Sequence, residues 1–313
     1  MELDSKIYVA GHKGLAGSAI VRKLKEFGYT NIIFGIRENL DLREKDQVDR
    51  FFKENKPEYV FLAAAKVGGI VANDTYSAEF IYDNLMIQTN VIDAAHRHGA
   101  KKLLFLGSNC IYPKICPQPI KEEYLLTGLL EPTNDAYAIA KIAGIKMCQS
   151  YKKQYGFNAI SLMPANLYGP NDNFDLNNSH VFAAMIRKFV DAKNTNQPTV
   201  ELYGDGSPMR EFLHADDLAD ACIFTMLNYN DDIPLNVSSG DEYSIKEIAE
   251  IIKKEVGYEG EIFWNTNKPN GTPRKKLDIS KIENLGWHPS IDLKKGVANA
   301  IRWYKEVYCN NNN

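Results

Sequence analysis

Lys6-Ile7-Tyr8-Val9-Ala10-Gly11-His12-Lys13-Gly14-Leu15-Ala16-Gly17 sets a short apolar run against three glycines, each three residues from the next. The amphipathic segment Gly17 to Phe27 follows, so the stretch predicts a strand, a tight turn and a helix. Glycines at such a turn let the backbone bend sharply and approach a pyrophosphate at the helix N-terminus, where free amides and the helix dipole favour anions. The spacing Gly-x-x-Gly-x-x-Gly departs from the dinucleotide fingerprint Gly-x-Gly-x-x-Gly. Its place directly after the first strand is what points to a cofactor site.

The same rhythm continues outward. Ile32 to Phe34, Tyr59 to Ala64, Leu103 to Leu106 and Ala159 to Met163 read as strands; Lys45 to Glu54, Ser77 to His98 and Tyr137 to Tyr155 read as helices. Strands alternating with helices imply right-handed crossovers and a doubly wound parallel α/β sheet. After Pro164 the chain turns polar, with Asn166 to Asn173 rich in turn formers. We place a nucleotide-binding Rossmann domain over 1–165, with the chain returning to it over 212–240, and a smaller mixed substrate lobe over 166–211 and 241–309. In that lobe Met185 to Ala192, Ser244 to Glu255 and Leu293 to Tyr304 read as helices. The tail 310–313 is too polar to pack and is expected to be disordered.

Composition excludes several classes. With 313 residues and 44% hydrophobic content the chain buries a large core, and a net charge of −3 gives no basic field for nucleic acid or a membrane surface. No apolar run reaches the roughly 18 residues that span a bilayer, and the first residues lack a signal peptide's apolar region, so the expected location is the cytoplasm. Cysteines at 110, 116, 148, 222 and 309 show no Cys-x-x-Cys spacing, which argues against a zinc site and for reduced thiols.

Chemistry is carried by Tyr137 and Lys141. Four residues apart, they share a helix face, where the cation is expected to lower the phenol's pKa and let it act as an acid or base on a carbonyl or alcohol. Ser108, just past the fourth strand at the sheet's carboxyl edge, is placed to hold the reacting oxygen. Cys110 stands two residues further on, and a thiol can move a proton from carbon. His180 is a candidate partner for it. Beyond the second strand, Arg37 together with Lys13 favours the 2′-phosphate of NADP, with Glu38 as the counter-argument.

Several longer motifs resemble the GDP-L-fucose synthase family of extended short-chain dehydrogenase/reductases over nearly the whole chain. They are Ala10 to Gly14, Ala63 to Ile70, Ser108 to Lys114, Tyr137 to Lys146, Asn166 to Pro170, Asn178 to Val181 and Pro208 to Phe212. The resemblance implies epimerisation of GDP-4-keto-6-deoxy-D-mannose at C3 and C5, then reduction at C4 by NADPH. Cys110 and His180 would serve epimerisation; Ser108, Tyr137 and Lys141 would serve reduction. It further implies NADP(H) contacts at Gly11, Lys13, Gly14, Leu15, Gly17, Arg37, Ala64, Lys141, Pro164, Asn166, Leu167 and His180. Contacts to the GDP-sugar would come from Asn166, Val181, Arg187, Lys188, Tyr203, Arg210 and Lys275.

Departures from the family pattern include Lys13 for arginine, Asn109 for a second serine and Tyr203 for tryptophan; they bear on cofactor preference and sugar fit. A C4-reductase of a related GDP-4-keto-6-deoxy sugar, a heptose for example, with little epimerase activity is the alternative. A non-catalytic dinucleotide-sensing role predicts loss of Tyr137 or Lys141, and both are present. The resemblance also implies a homodimer paired through the tyrosine helix and the long helix before it. Met86, Ile87, Val91 and Ile92 on that long helix fit either such a surface or a core-facing stripe.

Overall fold

Apolar runs bounded by glycine and polar turns become the strands of a computed structural model that describes residues 1–176, 178–268 and 270–308. The chain runs β1 (Ile7–Ala10), α1 (Leu15–Glu26), β2 (Ile32–Ile33), α2 (Lys45–Asn55), β3 (Tyr59–Leu62), α3 (Ile70–Thr75), α4 (Ser77–Arg97), β4 (Lys102–Leu106), α5 (Asp135–Tyr155) and β5 (Ala159–Pro164). It continues through β6 (Asn166–Tyr168), α6 (Val181–Asn194), β7 (Thr199–Tyr203), β8 (Met209–His214), α7 (Ala215–Asn228), β9 (Leu235–Val237) and β10 (Glu242–Ser244). The last elements are α8 (Ile245–Val256), β11 (Glu261–Asn265), β12 (Arg274–Lys275), α9 (Ser280–Asn284) and α10 (Leu293–Trp303).

Six strands form one sheet in the order β2-β1-β3-β4-β5-β9, and every pair is parallel. β1, β4 and β5 are buried along their whole length, as strands covered on both faces must be. Helices pack in two sets, α1 with α7, and α2 with α4 and α5. The chain reverses its direction across the sheet between β1 and β3. Open parallel sheets bind ligands at the carboxyl ends of the strands flanking such a switch.

A second hydrophobic cluster gathers Phe182, Phe189, Leu202, Ile248, Ile252 and Ile301 around α6, α8 and α10. Two smaller β groups belong to it: β7 paired with β11, and β8 flanked by β10, β12 and β6. α8 starts on a capping box, in which Ser244 accepts from Glu247 N–H and the Glu247 carboxylate accepts from Ser244 N–H.

Four details differ from the sequence expectation, and a fifth, left open there, is decided. α1 begins at Leu15, ahead of Gly17, so Gly14 is its N-cap. β2 ends at Ile33; Phe34 is outside it and packs tilted against the His12 ring at 4.7 Å. α6 begins at Val181, well before Met185, which makes His180 its N-cap. Leu277, Ile279, Ile282 and Trp287, placed by sequence in the second lobe, pack in the first core. On α4, Val91 and Ile92 are fully buried in that same core, so the core-facing stripe holds for them. The expected disordered tail 310–313 and Cys309 lie outside the described residues. Among those residues no helix is long and apolar enough to cross a membrane.

Candidate active site

The glycine turn is built by close backbone contact. Gly11 has φ +84°, and a side chain there would stand 2.8 Å from the Ala64 backbone, two residues past β3. At Gly17 a Cβ would lie 2.1 Å from the Gly11 carbonyl oxygen. Gly14, by contrast, has only that oxygen within 4 Å, at 3.6 Å, and it borders open space. α1 starts there without a side-chain cap and with no acid in its first turn, which leaves its first amides free for an anion. This cradle fits the pyrophosphate of a nicotinamide dinucleotide. Lys13, Leu15, Arg37, Ala64, Pro164, Asn166 and Leu167 line the same cleft, and so does Glu38.

The cleft encloses about 1740 Å³. That exceeds the roughly 300–1,000 Å³ of a site for one small molecule, and accommodates two nucleotides. Its floor is the reaction centre. Past β4, Ser108 caps a short 3-10 turn over Asn109–Ile111 and its Oγ accepts the Cys110 N–H at 3.4 Å. Tyr137 lies in the first turn of α5, with Phe80 edge-on to its ring at 6.3 Å. Lys141 stands one turn deeper, where its Nζ donates to the Leu106 carbonyl at 2.8 Å and lies 5.7 Å above the Tyr137 ring.

Burial decides the charge states here. It raises the Tyr137 phenol, a charge on Cys110 would raise it further, and the Ser108 hydroxyl opposes both. The Cys110 thiol is likewise pushed up by burial, against the Ser108 hydroxyl and the cations of Lys275 and Lys141. The same burial brings the Lys141 ammonium down to about 8. The expectation that Lys141 lowers the phenol's pKa is therefore not met. Its ammonium lies over the ring and donates to the Leu106 carbonyl, not to the phenol oxygen.

His180 lines the cleft from the α6 side, and burial lowers its ring below the usual histidine range. Cys110, Ser108, Tyr137 and His180 thus share one cleft although they come from three separate stretches of chain.

Further along, the cations separate. Lys188 donates to the Glu201 carbonyl at 2.8 Å and lies 5.0 Å over the Tyr203 ring, both in the cleft. Arg210 and Lys275 are register partners on β8 and β12, both line the cleft, and burial lowers both. Val181 lines the same cleft. Arg187 does not line the cleft. Its guanidinium donates to the Phe174 carbonyl at 2.9 Å and pairs with Asp191 at 3.4 Å, because adjacent helix residues point about 100° apart.

Sequence reading missed several cleft residues. Glu131 accepts from Lys114 and Thr272. Asn134, Asp172 and Ser179 line the cleft with buried side-chain oxygens that have no hydrogen-bond partner among the described residues. Such unpaired atoms are costly and mark places where a ligand completes the bonding. Asp172 lies in the polar turn-forming stretch visible in the sequence, which is the signal that would have singled it out.

Comparison with known proteins agrees with this geometry. The family described as NAD dependent epimerase/dehydratase matches residues 7–239. The chain is 57% identical to GDP-L-fucose synthase 1 of Arabidopsis thaliana, over 98% of this chain and 95% of that protein. It is 49% identical to the GDP-L-fucose synthase of Escherichia coli K12, over 96% and 97%. Among solved structures it is similar to a GDP-mannoheptose C4 reductase from Campylobacter jejuni with NADP bound: TM-score 0.90, 44% identity, covering 97% of this chain and 99% of that one.

Proposed function

Since the chain belongs to the NAD dependent epimerase/dehydratase family, and matches its GDP-L-fucose synthases over nearly full length, we infer that it converts GDP-4-keto-6-deoxy-D-mannose to GDP-L-fucose. It is an oxidoreductase that also epimerises. The substrate's 4-ketone makes both halves possible, because it acidifies the hydrogens on C3 and C5. Cys110 and His180 exchange protons with those carbons. Ser108 and Tyr137 donate to the C4 oxygen while negative charge gathers on it. Bound NADPH supplies the hydride for C4. Tyr137, kept protonated by burial, then gives the oxygen its proton. Lys188, Arg210 and Lys275 face the diphosphate, while Asn166 and Val181 border the sugar.

NADPH over NADH is supported by Lys13 and Arg37 at the cofactor end of the cleft and by the NADP-bound relative. A homodimer is supported by α4 and α5, which pack together and leave Tyr82, Ile139 and Tyr155 exposed.

What carries the epimerase half is the convergence of Cys110 and His180 on the cleft that already holds Ser108 and Tyr137. The test is incubation with GDP-4-keto-6-deoxymannose in deuterated water, with and without NADPH, following deuterium at C3 and C5 by NMR and mass spectrometry. Exchange at both carbons, impaired in Cys110→Ser and His180→Asn, followed by NADPH-dependent GDP-L-fucose, is the expected result. Hydride transfer without exchange would leave only the C4-reductase, the activity named for the Campylobacter relative.

A further inference from the structure

His180 makes no side-chain cap to α6, so the place of its ring is set by the backbone that carries it. That backbone is gripped from the other lobe. The Gly69 N–H donates to the Asn178 carbonyl at 3.1 Å, and a Cβ on Gly69 would stand 2.8 Å from the Ser179 carbonyl oxygen. The two residues before His180 therefore lie directly on a backbone that only glycine can present at that distance.

The gripping turn is itself locked. Asn73, buried at 6% exposure, donates its Nδ2 to the carbonyls of Gly68 at 2.7 Å and Gly69 at 3.0 Å. One step earlier, Asn84, also buried, closes a two-way pair with the backbone of Lys66 at 3.0 and 2.9 Å. Gly68 completes the link, since a Cβ there would meet the Phe80 ring at 3.0 Å, and Phe80 packs edge-on to Tyr137.

We propose that the Gly68–Gly69 turn, locked by Asn73, is the positioning element that registers His180 against Tyr137 and Cys110 across the cleft. Gly69 and Asn73 are positioning residues for epimerisation; they act through His180 and move no proton themselves. The proposal rests on the reading of His180 as a proton-transfer residue. Displacing a reacting group by about 1 Å can cost on the order of 100-fold in rate.

The test compares Gly69→Ala and Asn73→Asp with His180→Asn. Asn73→Asp keeps the size of the side chain and removes its donor, so it also covers the case in which Gly69→Ala fails to fold. Thermal melting and NADPH quenching establish that each variant is folded. Deuterium incorporation is followed at C3 and C5 separately across pH, and hydride transfer is measured on a ketone already epimerised at both carbons.

At the carbon whose exchange is lost in His180→Asn, both variants slow about 10- to 100-fold, and the pH limb belonging to His180 shifts. Exchange at the other carbon and hydride transfer fall much less. Equal losses at both carbons and in hydride transfer would overturn positioning in favour of a general structural role, as would exchange at the wild-type rate. Undiminished exchange in His180→Asn would instead sink the role of His180. That failure is read from a different variant, so the two are told apart.

Discussion

Burial raises the thiol of Cys110 and the phenol of Tyr137, and it lowers the ring of His180 and, to about 8, the ammonium of Lys141. Each group is pushed toward its neutral form, which suits the donors but works against a thiolate base. Lys275 is the stronger of the two cations opposing burial at Cys110, and removing it withdraws charge that favours the thiolate. In Lys275→Met the thiol pKa therefore rises further. The ascending limb of the exchange profile moves to higher pH, so exchange at neutral pH drops about tenfold per pKa unit and recovers in alkali. An unmoved limb would exclude this electrostatic role. Arg187 and Lys188 make a second contrast at this scale. Their sequence neighbours gave no means of choosing between them, since which side of α6 faces the cleft depends on the packing of α6 and not on residue type. Lys188→Ala is expected to raise KM about 10-fold or more, the scale of a lost hydrogen bond to a charged group. Arg187→Ala frees the Phe174 carbonyl, so it should lower Tm and leave KM nearly as it was.

At the scale of elements the glycine turn separates two reasons for having no side chain. Alanine at position 17 meets the Gly11 oxygen at 2.1 Å and cannot be accommodated without opening the turn. Alanine at position 14 meets nothing closer than 3.6 Å, yet its methyl projects where the pyrophosphate must approach the first amides of α1. Gly17→Ala should thus lose both stability and NADPH binding. Gly14→Ala should keep its Tm and bind NADPH about tenfold more weakly, roughly 1.4 kcal/mol. Equal melting losses in the two would refute the distinction. Strands and helices here were legible because their apolar periodicity follows the core, as in the fully buried β1 and β4. Helix starts were less so. The first turns of α1 and α6 carry Leu15, Ala16 and Val181 on the cleft, where they answer to a ligand and not to the core period. The gripping of Asn178 by Gly69 was illegible for another reason: a backbone-to-backbone contact leaves glycine as its only trace in the sequence.

Across the whole molecule, β8 is the strand that joins the two cores. Phe212 packs in the second cluster, Leu213 in the first, and Arg210 lines the cleft between them. Glu211 sits at this junction with no solvent exposure, its Oε2 accepting the Leu277 N–H at 2.7 Å. The motif containing it was plain in the sequence, but its burial was not, because the residue that covers it arrives 66 positions later. Burial raises its pKa from 4.5 to about 7, against the opposing N–H of Leu277 and the hydroxyl of Ser238. The folded form therefore binds the proton more tightly than the unfolded chain. Its contribution to stability is complete below about 4.5 and is lost as pH rises toward about 7, a loss on the order of 1–3 kcal/mol. Glutamine keeps the shape and has no proton to lose. Glu211→Gln should then melt several degrees above the wild type at pH 8, at roughly 2–4 °C per kcal/mol, with the gap closing or reversing near pH 4.5. Melting curves that run parallel across this range would show that the Glu211 carboxylate is not titrating at the junction of the lobes.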